Sequence, residues 1–307
     1  METRNCQNCK QDFTIEDEDF VFYQKIAVPP PTFCSECRTM RRLSWRNEMN
    51  LYKRPCNAPG HTEMLITLYP PEAKVTIYDT HFWWGDTWEA MDFGRDYDFS
   101  KTFFSQWNEL RAVVPFQALS NSKATNSDYC NIAEESRDSY MSSASWNIDR
   151  VHYSNRIMKV TDSMDLYVAG DSELCYDSVY TSEGYNVHYS LHTKSCVDSY
   201  FLYDCIGCTN CFGCTNLRSQ SYCMWNEQLS KDEYHRRMSE IDLSNYETVQ
   251  SLKKKFREMY LASIHRFAHL IKTVDSTGDN IDGVKNSRFC FDADGKIEDT
   301  KYVHWQR

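Results

Sequence analysis

The chain has 307 residues, with 34 Lys and Arg against 44 Asp and Glu and a formal charge of −10. That acidic balance argues against wholesale coating of nucleic acid or adhesion to an anionic membrane, both of which favour a basic surface. No run approaches the roughly 18 apolar residues of a membrane span, and the length allows a sizeable core in roughly two or three domains.

The opening METRNCQNCK has no apolar h-region, and the chain carries fourteen cysteines. We therefore expect a cytoplasmic protein in which thiols serve as metal ligands or as small buried hydrophobes. Abundant Tyr, Phe and Trp favour sheet over helical bundle. The expected fold class is α+β, mainly β.

Residues 1–50 form the first segment. Cys6-x2-Cys9 and Cys34-x2-Cys37 are two CxxC pairs separated by 24 residues. Two such pairs can supply four thiolates to a tetrahedral Zn2+, and four protein ligands leave no open position, so the site is expected to be structural. Residues 38–49 should be helical, with Arg38, Arg42 and Arg46 on one stripe. That stripe could contact the phosphates of a nucleic acid or an acidic partner. Pairing with Glu16–Asp19, Asp96 and Asp98 of the same chain is the favoured reading, because the whole protein is acidic.

The stretches CQNCKQDFTI, EDFVFYQK and VPPPTFCSECRTMRR resemble the small treble-clef or zinc-ribbon domains of bacterial proteins. The continuation RRLSWRNEMNLYKR, the WW and GRDYDF motifs and the Cys-rich repeats resemble uncharacterised bacterial zinc-binding proteins in which such a domain precedes Cys-rich repeats. This resemblance spans most of the chain. It implies zinc at Cys6, Cys9, Cys34 and Cys37, and it brings no activity or substrate.

Residues 51–119 form an aromatic-rich docking segment. PCNAPGHTE supplies Cys56 and His61, and YDTHFWW supplies Asp79 and His81. Cys56, His61 and His81 could form a second zinc site whose fourth position holds water, which would permit catalysis; ordinary packing explains the same residues. Trp83, Trp84 and Trp88, beside Asp86, Asp92, Arg95, Asp96 and Asp98, could bind a sugar or base by stacking. Docking of one domain on another is favoured, since aromatics bury much area each.

Residues 120–227 are repetitive. Asp-Ser recurs at 138–139, 162–163, 177–178 and 198–199, and VHYS occurs at 151–154 and 187–190. Ser154, Cys175 and Cys196 are 21 residues apart in turn. A period near 20, with β-prone runs and Ser/Asn/Asp turns, suggests a right-handed β-solenoid-like body, the alternative being an irregular β-sandwich. The hexad C-x-G-C-T-N, written twice, places Cys205, Cys208, Cys211 and Cys214 at three-residue spacing. These could ligate a metal, but the run departs from the ferredoxin pattern. Cys196, Cys205, Cys214 and Cys223 fall nine apart, beyond any single cluster. A core ladder of small soft side chains is favoured. The repeated Asp residues are expected at turns rather than in a glycosidase pair, because a catalytic pair is normally unique.

Residues 228–275 should form a helical pair, with capping boxes at Ser230–Glu233 and Ser244–Glu247 and an apolar stripe from Tyr246 to about Lys272. Residues 276–307 return to repeat-like strands. The function expected is that of a zinc-binding structural or interaction scaffold, with a protein partner or self-association and no membrane. The alternatives are a metal-dependent or carbohydrate-active enzyme, and nucleic-acid binding through the Arg-rich helix.

Overall fold

The computed structural model describes residues 1–306. In chain order its elements begin with β1 (Glu2–Asn5), β2 (Asp12–Ile15), α1 (Asp17–Lys25), α2 (Ser35–Leu43), β3 (Tyr52–Pro55), β4 (Met64–Thr67), β5 (Ile77–Tyr78), α3 (Thr80–Trp83), α4 (Phe103–Val113) and β6 (Phe116–Gln117). Then come β7 (Asn121–Ser122), β8 (Asn131–Arg137), β9 (Ser143–His152), β10 (Asn155–Glu173), β11 (Tyr176–Ser182) and β12 (Tyr185–His188). They are followed by β13 (Leu191–Lys194), β14 (Val197–Ile206), β15 (Phe212–Thr215), β16 (Cys223–Met224) and β17 (Glu227–Gln228). The last are α5 (Lys231–Ser239), α6 (Tyr246–Ala262), β18 (Leu270–Ile271), β19 (Gly278–Lys285), β20 (Cys290–Glu298) and β21 (His304–Gln306). The fold is mainly β. Among the described residues no helix is long and apolar enough to cross a membrane.

The chain divides into two compact units: residues 1–47 together with 265–307, and residues 48–264. The larger unit is built on an eleven-stranded sheet, β7 to β17, whose neighbours are parallel except for the antiparallel pair β16–β17. The register advances by twelve residues at each step: Asn131 lies opposite Ser143, Met164 opposite Tyr176, and Leu202 opposite Cys214. The expected period near twenty is thus corrected to twelve.

The local reason is a rule of three. Every third residue from Ser139 to Cys214 is buried. The residue before each of these has positive φ, from Asp138 onward. Left-handed backbone bends the chain sharply, and Asp, Asn and Gly adopt it at least cost. The Asp-Ser dipeptides are therefore one corner plus one buried residue: Asp138, Asp162, Asp177 and Asp198 have φ of 45° to 48°, and the serine after each is buried. Of the positive-φ residues between Ile132 and Trp225, only Ile132 and Val168 are β-branched, as their stiff side chains demand.

Burying serines requires partners. Most of these buried hydroxyls are met by main chain: Ser163 Oγ donates to Thr161 O at 2.8 Å and receives the Cys175 amide, twelve residues on, at 3.0 Å, whereas Ser136 and Ser145 Oγ are buried without a partner among the described residues. Between them sit the apolar members Ile148, Val151, Ile157, Val160, Leu166, Val187 and Leu202. On the outside, corners twelve residues apart also bond, as Asn186 does to Asp198 at 2.8 Å and Asn126 to Asp138 at 2.9 Å.

Helices α5 and α6 cover an aromatic patch of this unit. Phe201, Phe212, Met224 and Tyr234 are buried there, with Leu252 and Phe256 packed against them. Ser230 caps α5 through the Glu233 amide, as its capping box predicts, while α6 is capped by Asn245, one residue later than expected. Helix α6 stops at Ala262 rather than near Lys272, because the Ile264 carbonyl turns to accept from Asn216 Nδ2 at 3.0 Å. Ile264 and Phe267, expected on its apolar stripe, are exposed.

In the smaller unit, β18 to β21 form a parallel four-stranded sheet, again with Gly278 opposite Cys290 twelve residues on. Helix α2 is shorter than the expected 38–49. It ends at Leu43, leaving Arg46 in the turn that follows.

Candidate metal centres

The first centre begins in the β1–β2 hairpin. Lys10, at φ 62°, turns the chain so that its amide reaches Cys6 O at 3.0 Å while the Cys6 amide reaches Gln11 O at 2.9 Å. That places Cys6 and Cys9 at the tip. Cys34 is the N-cap of α2, where its sulfur accepts from the Cys37 amide at 3.5 Å. The Cys34 amide in turn donates to Cys6 Sγ at 3.3 Å, and Asn8 Nδ2 to Cys37 Sγ at 3.4 Å. All four sulfurs lie within 4.8 Å of one another, close enough to bind a metal ion.

Electrostatics point the same way. Cys6 is buried, which raises its pKa, but the main chain of Cys34, Cys9 and Asn8 outweighs this and brings it down to about 6. For Cys9 the Gln11 main chain favours the thiolate, yet burial and the three neighbouring thiols push it up to about 11. Four sulfurs this close cannot all ionise unless a cation supplies the missing positive charge.

The arginine stripe is largely occupied within its own unit. Arg38 lies over the Tyr302 ring at 5.1 Å and donates to Tyr23 Oη at 3.3 Å, while Arg46 lies over Trp305 at 5.0 Å. Arg42 donates to Thr39 Oγ1 on its own helix. The acidic run pairs elsewhere: Lys301 Nζ is 2.9 Å from Asp19 and 3.2 Å from Glu18.

In the larger unit, the structure brings together Cys56, His61 and Glu63, whose ligand atoms lie within 4.8 Å of one another. His81 is not in this group. It sits exposed on α3, at the rim of a cavity of about 630 Å³. Glu63 takes its place because β3 and β4 pair antiparallel, Pro55 opposite Met64, so residues 56 and 63 meet at the base of the connecting loop. The sequence signal was the hairpin itself: a Cys and a Glu flanking N-A-P-G-H-T.

Trp83 and Trp88 pack on the core around Ile77 and Tyr78, and their indole nitrogens donate to Pro115 O and Trp83 O. Trp84 stands exposed against Trp83, with ring centroids 4.9 Å apart. Asp86, Asp92, Arg95, Asp96 and Asp98 are exposed, and Asp98 is bonded to Ser100.

Cys205, Cys208, Cys211 and Cys214 are fully buried in the core of the larger unit. Among the described residues they are not part of a cluster whose ligand atoms all lie within 4.8 Å of one another. Each donates to the carbonyl two residues earlier, as the serines do: Cys205 to Tyr203 O at 3.4 Å, Cys214 to Phe212 O at 3.3 Å. Gly207, Asn210 and Gly213, at positive φ, are the corners between them, and Asn216 is the next corner after Cys214. At Gly213 a Cβ would lie 2.4 Å from the Trp225 ring, so glycine is required there for space as well as for its φ of 65°.

Comparison with family models and with curated proteins finds no match to this chain. The resemblance to bacterial zinc-binding proteins therefore rests on its motifs alone.

Proposed function

We propose that this chain is a zinc-stabilised structural or interaction protein, acting in the cytoplasm through a protein partner or self-association. The observation that carries the reading is the close set of four sulfurs at Cys6, Cys9, Cys34 and Cys37. Four thiolates favour tetrahedral Zn2+, and closing the shell leaves no position for a reacting water. The module at residues 1–50 is then a treble clef or zinc ribbon. The metal compensates for a core too small to hold the module alone.

The body at residues 120–227 is, in this reading, a right-handed β-solenoid with twelve residues and four corners per turn. The constant register step and the rule of three support it. Such a body presents ladders of like side chains, a surface suited to binding rather than to a single reactive pair. Anion contact through Arg38, Arg42 and Arg46 draws less support, since Arg38 and Arg46 already lie on Tyr302 and Trp305.

The test is the metal content of the purified chain beside a Cys6→Ser/Cys9→Ser variant. Loss of one zinc per chain in the variant is expected. Equal zinc in both proteins would overturn the reading.

A further inference from the structure

We propose a second divalent-metal site in the larger unit, formed by Cys56 Sγ, the His61 imidazole and the Glu63 carboxylate, with water completing the shell. It stands independently of the four-sulfur centre.

The argument starts from what surrounds the Cys56 sulfur. Cys56 is buried, yet its sulfur donates to no carbonyl among the described residues. It accepts two amides instead, from Ala58 at 3.4 Å and Asp79 at 3.3 Å. Cys6, Cys34 and Cys37 share this environment, each accepting from N–H groups. The cysteines of the long sheet differ: Cys196, Cys205, Cys208, Cys211 and Cys214 each donate to a carbonyl. Main-chain amides that point at a sulfur orient it as a metal ligand is oriented by its outer shell.

The loop is also built to hold its shape. The Cys56 amide donates to Glu63 O at 3.0 Å and closes the hairpin base, and the His61 amide donates to Ala58 O at 3.1 Å. Gly60 supplies the turn at φ 80°. Asn57 is tied to β5 twice, through its amide to Ile77 O and through its side chain from the Ile77 amide. The three ligands are thus fixed before any ion arrives.

His61 Nδ1 lies 2.5 Å from Glu63 Oε1, so the imidazole and the carboxylate face the same point. The Asp79 carboxylate is already engaged as the cap of α3, receiving the His81 and Phe82 amides. One sulfur, one nitrogen and one oxygen suit Zn2+, and three protein ligands leave the fourth position to an exchangeable water.

The experiment uses the full chain, made metal-free and titrated with Co2+ alone. Two ions per chain are expected. Cys56→Ser should remove one ion and leave the intense four-sulfur charge-transfer band. Glu63→Gln, at an exposed side chain, should weaken the same ion at least about tenfold. In Cys6→Ser the remaining ion should show a weaker single-thiolate band that shifts on adding azide, because only an open position admits an external anion. One ion in the wild-type chain overturns the site, as does a second ion that survives unchanged in both Cys56→Ser and Glu63→Gln. A single-thiolate band indifferent to azide overturns the open position.

Discussion

Two regions of this molecule use cysteine in opposite ways. In the long sheet the thiol is a substitute for serine: Cys205 donates to Tyr203 O and Cys214 O, just as Ser178 donates to Tyr176 O and Val187 O. A thiol that donates to a carbonyl satisfies its one donor there. At Cys6, Cys34, Cys37 and Cys56 the sulfur receives N–H groups and no donation to a carbonyl is seen among the described residues, the environment that the proposed metal sites would use. Spacing alone does not separate the two. Cys205-x2-Cys208 and Cys6-x2-Cys9 are the same motif, and they are told apart by the carbonyl that each sheet thiol donates to and by the gathering of the N-terminal sulfurs within 4.8 Å of one another.

The largest effect that can break this comparison is loss of the first centre. Cys34→Ser, or a strong chelator, should abolish cooperative unfolding of residues 1–47, while the far-ultraviolet signal of the eleven-stranded sheet persists. Concerted loss of both would show that the sheet, too, depends on metal.

Next in size is the patch covered by the helices. Phe212 is fully buried beneath α5 and α6, and Phe212→Ala should cost about 3–5 kcal/mol in chemical denaturation.

A third effect is pH-dependent. Burial pushes the Cys175 thiol from 9.0 up to about 11. The unfolded chain therefore ionises first as pH rises, and the native state retains this contribution below pH 9 and loses it towards pH 11. The loss from this residue should be roughly 2–3 kcal/mol, read as a falling denaturation midpoint that Cys175→Ser makes shallower.

The smallest effect is the sharpest. Cys208→Ser should change stability by no more than about 1 kcal/mol, because a hydroxyl can donate to the same Ile206 carbonyl. Its metal content should be unchanged.

Much of this was legible from residues alone. The two N-terminal CxxC pairs announced the four-sulfur cluster because a tetrahedral thiolate site dictates both ligand type and spacing. The preference for a wall over a cluster at Cys205–Cys214 followed from the cysteines at nine-residue intervals beyond it. The period was harder. Recurrences at 24, 15 and 21 residues look irregular, yet all are multiples of three, as is the 36 between the two VHYS motifs. Only some are multiples of twelve, because a dipeptide that suits one positive-φ position suits the next, three residues on.

Hydrophobicity could not reveal the rule either. Main-chain bonds let most of the buried Ser and Thr occupy positions that Val or Cys fill elsewhere, so the pattern reads as polar. Glu63 was missed for a different reason: its approach to Cys56 depends on which residues of β3 and β4 pair, and four-residue strands carry too little alternation to set that register.

The measurement that tests the central contrast most directly is alkylation of the native, metal-loaded chain before and after chelation, read residue by residue by mass spectrometry. Chelation should expose Cys6, Cys9, Cys34, Cys37 and Cys56 to the reagent and leave Cys175, Cys196, Cys205, Cys208, Cys211, Cys214 and Cys223 protected. If removing metal instead opens any of Cys205, Cys208, Cys211 or Cys214, the sheet cysteines are ligands and the division between the two regions is wrong.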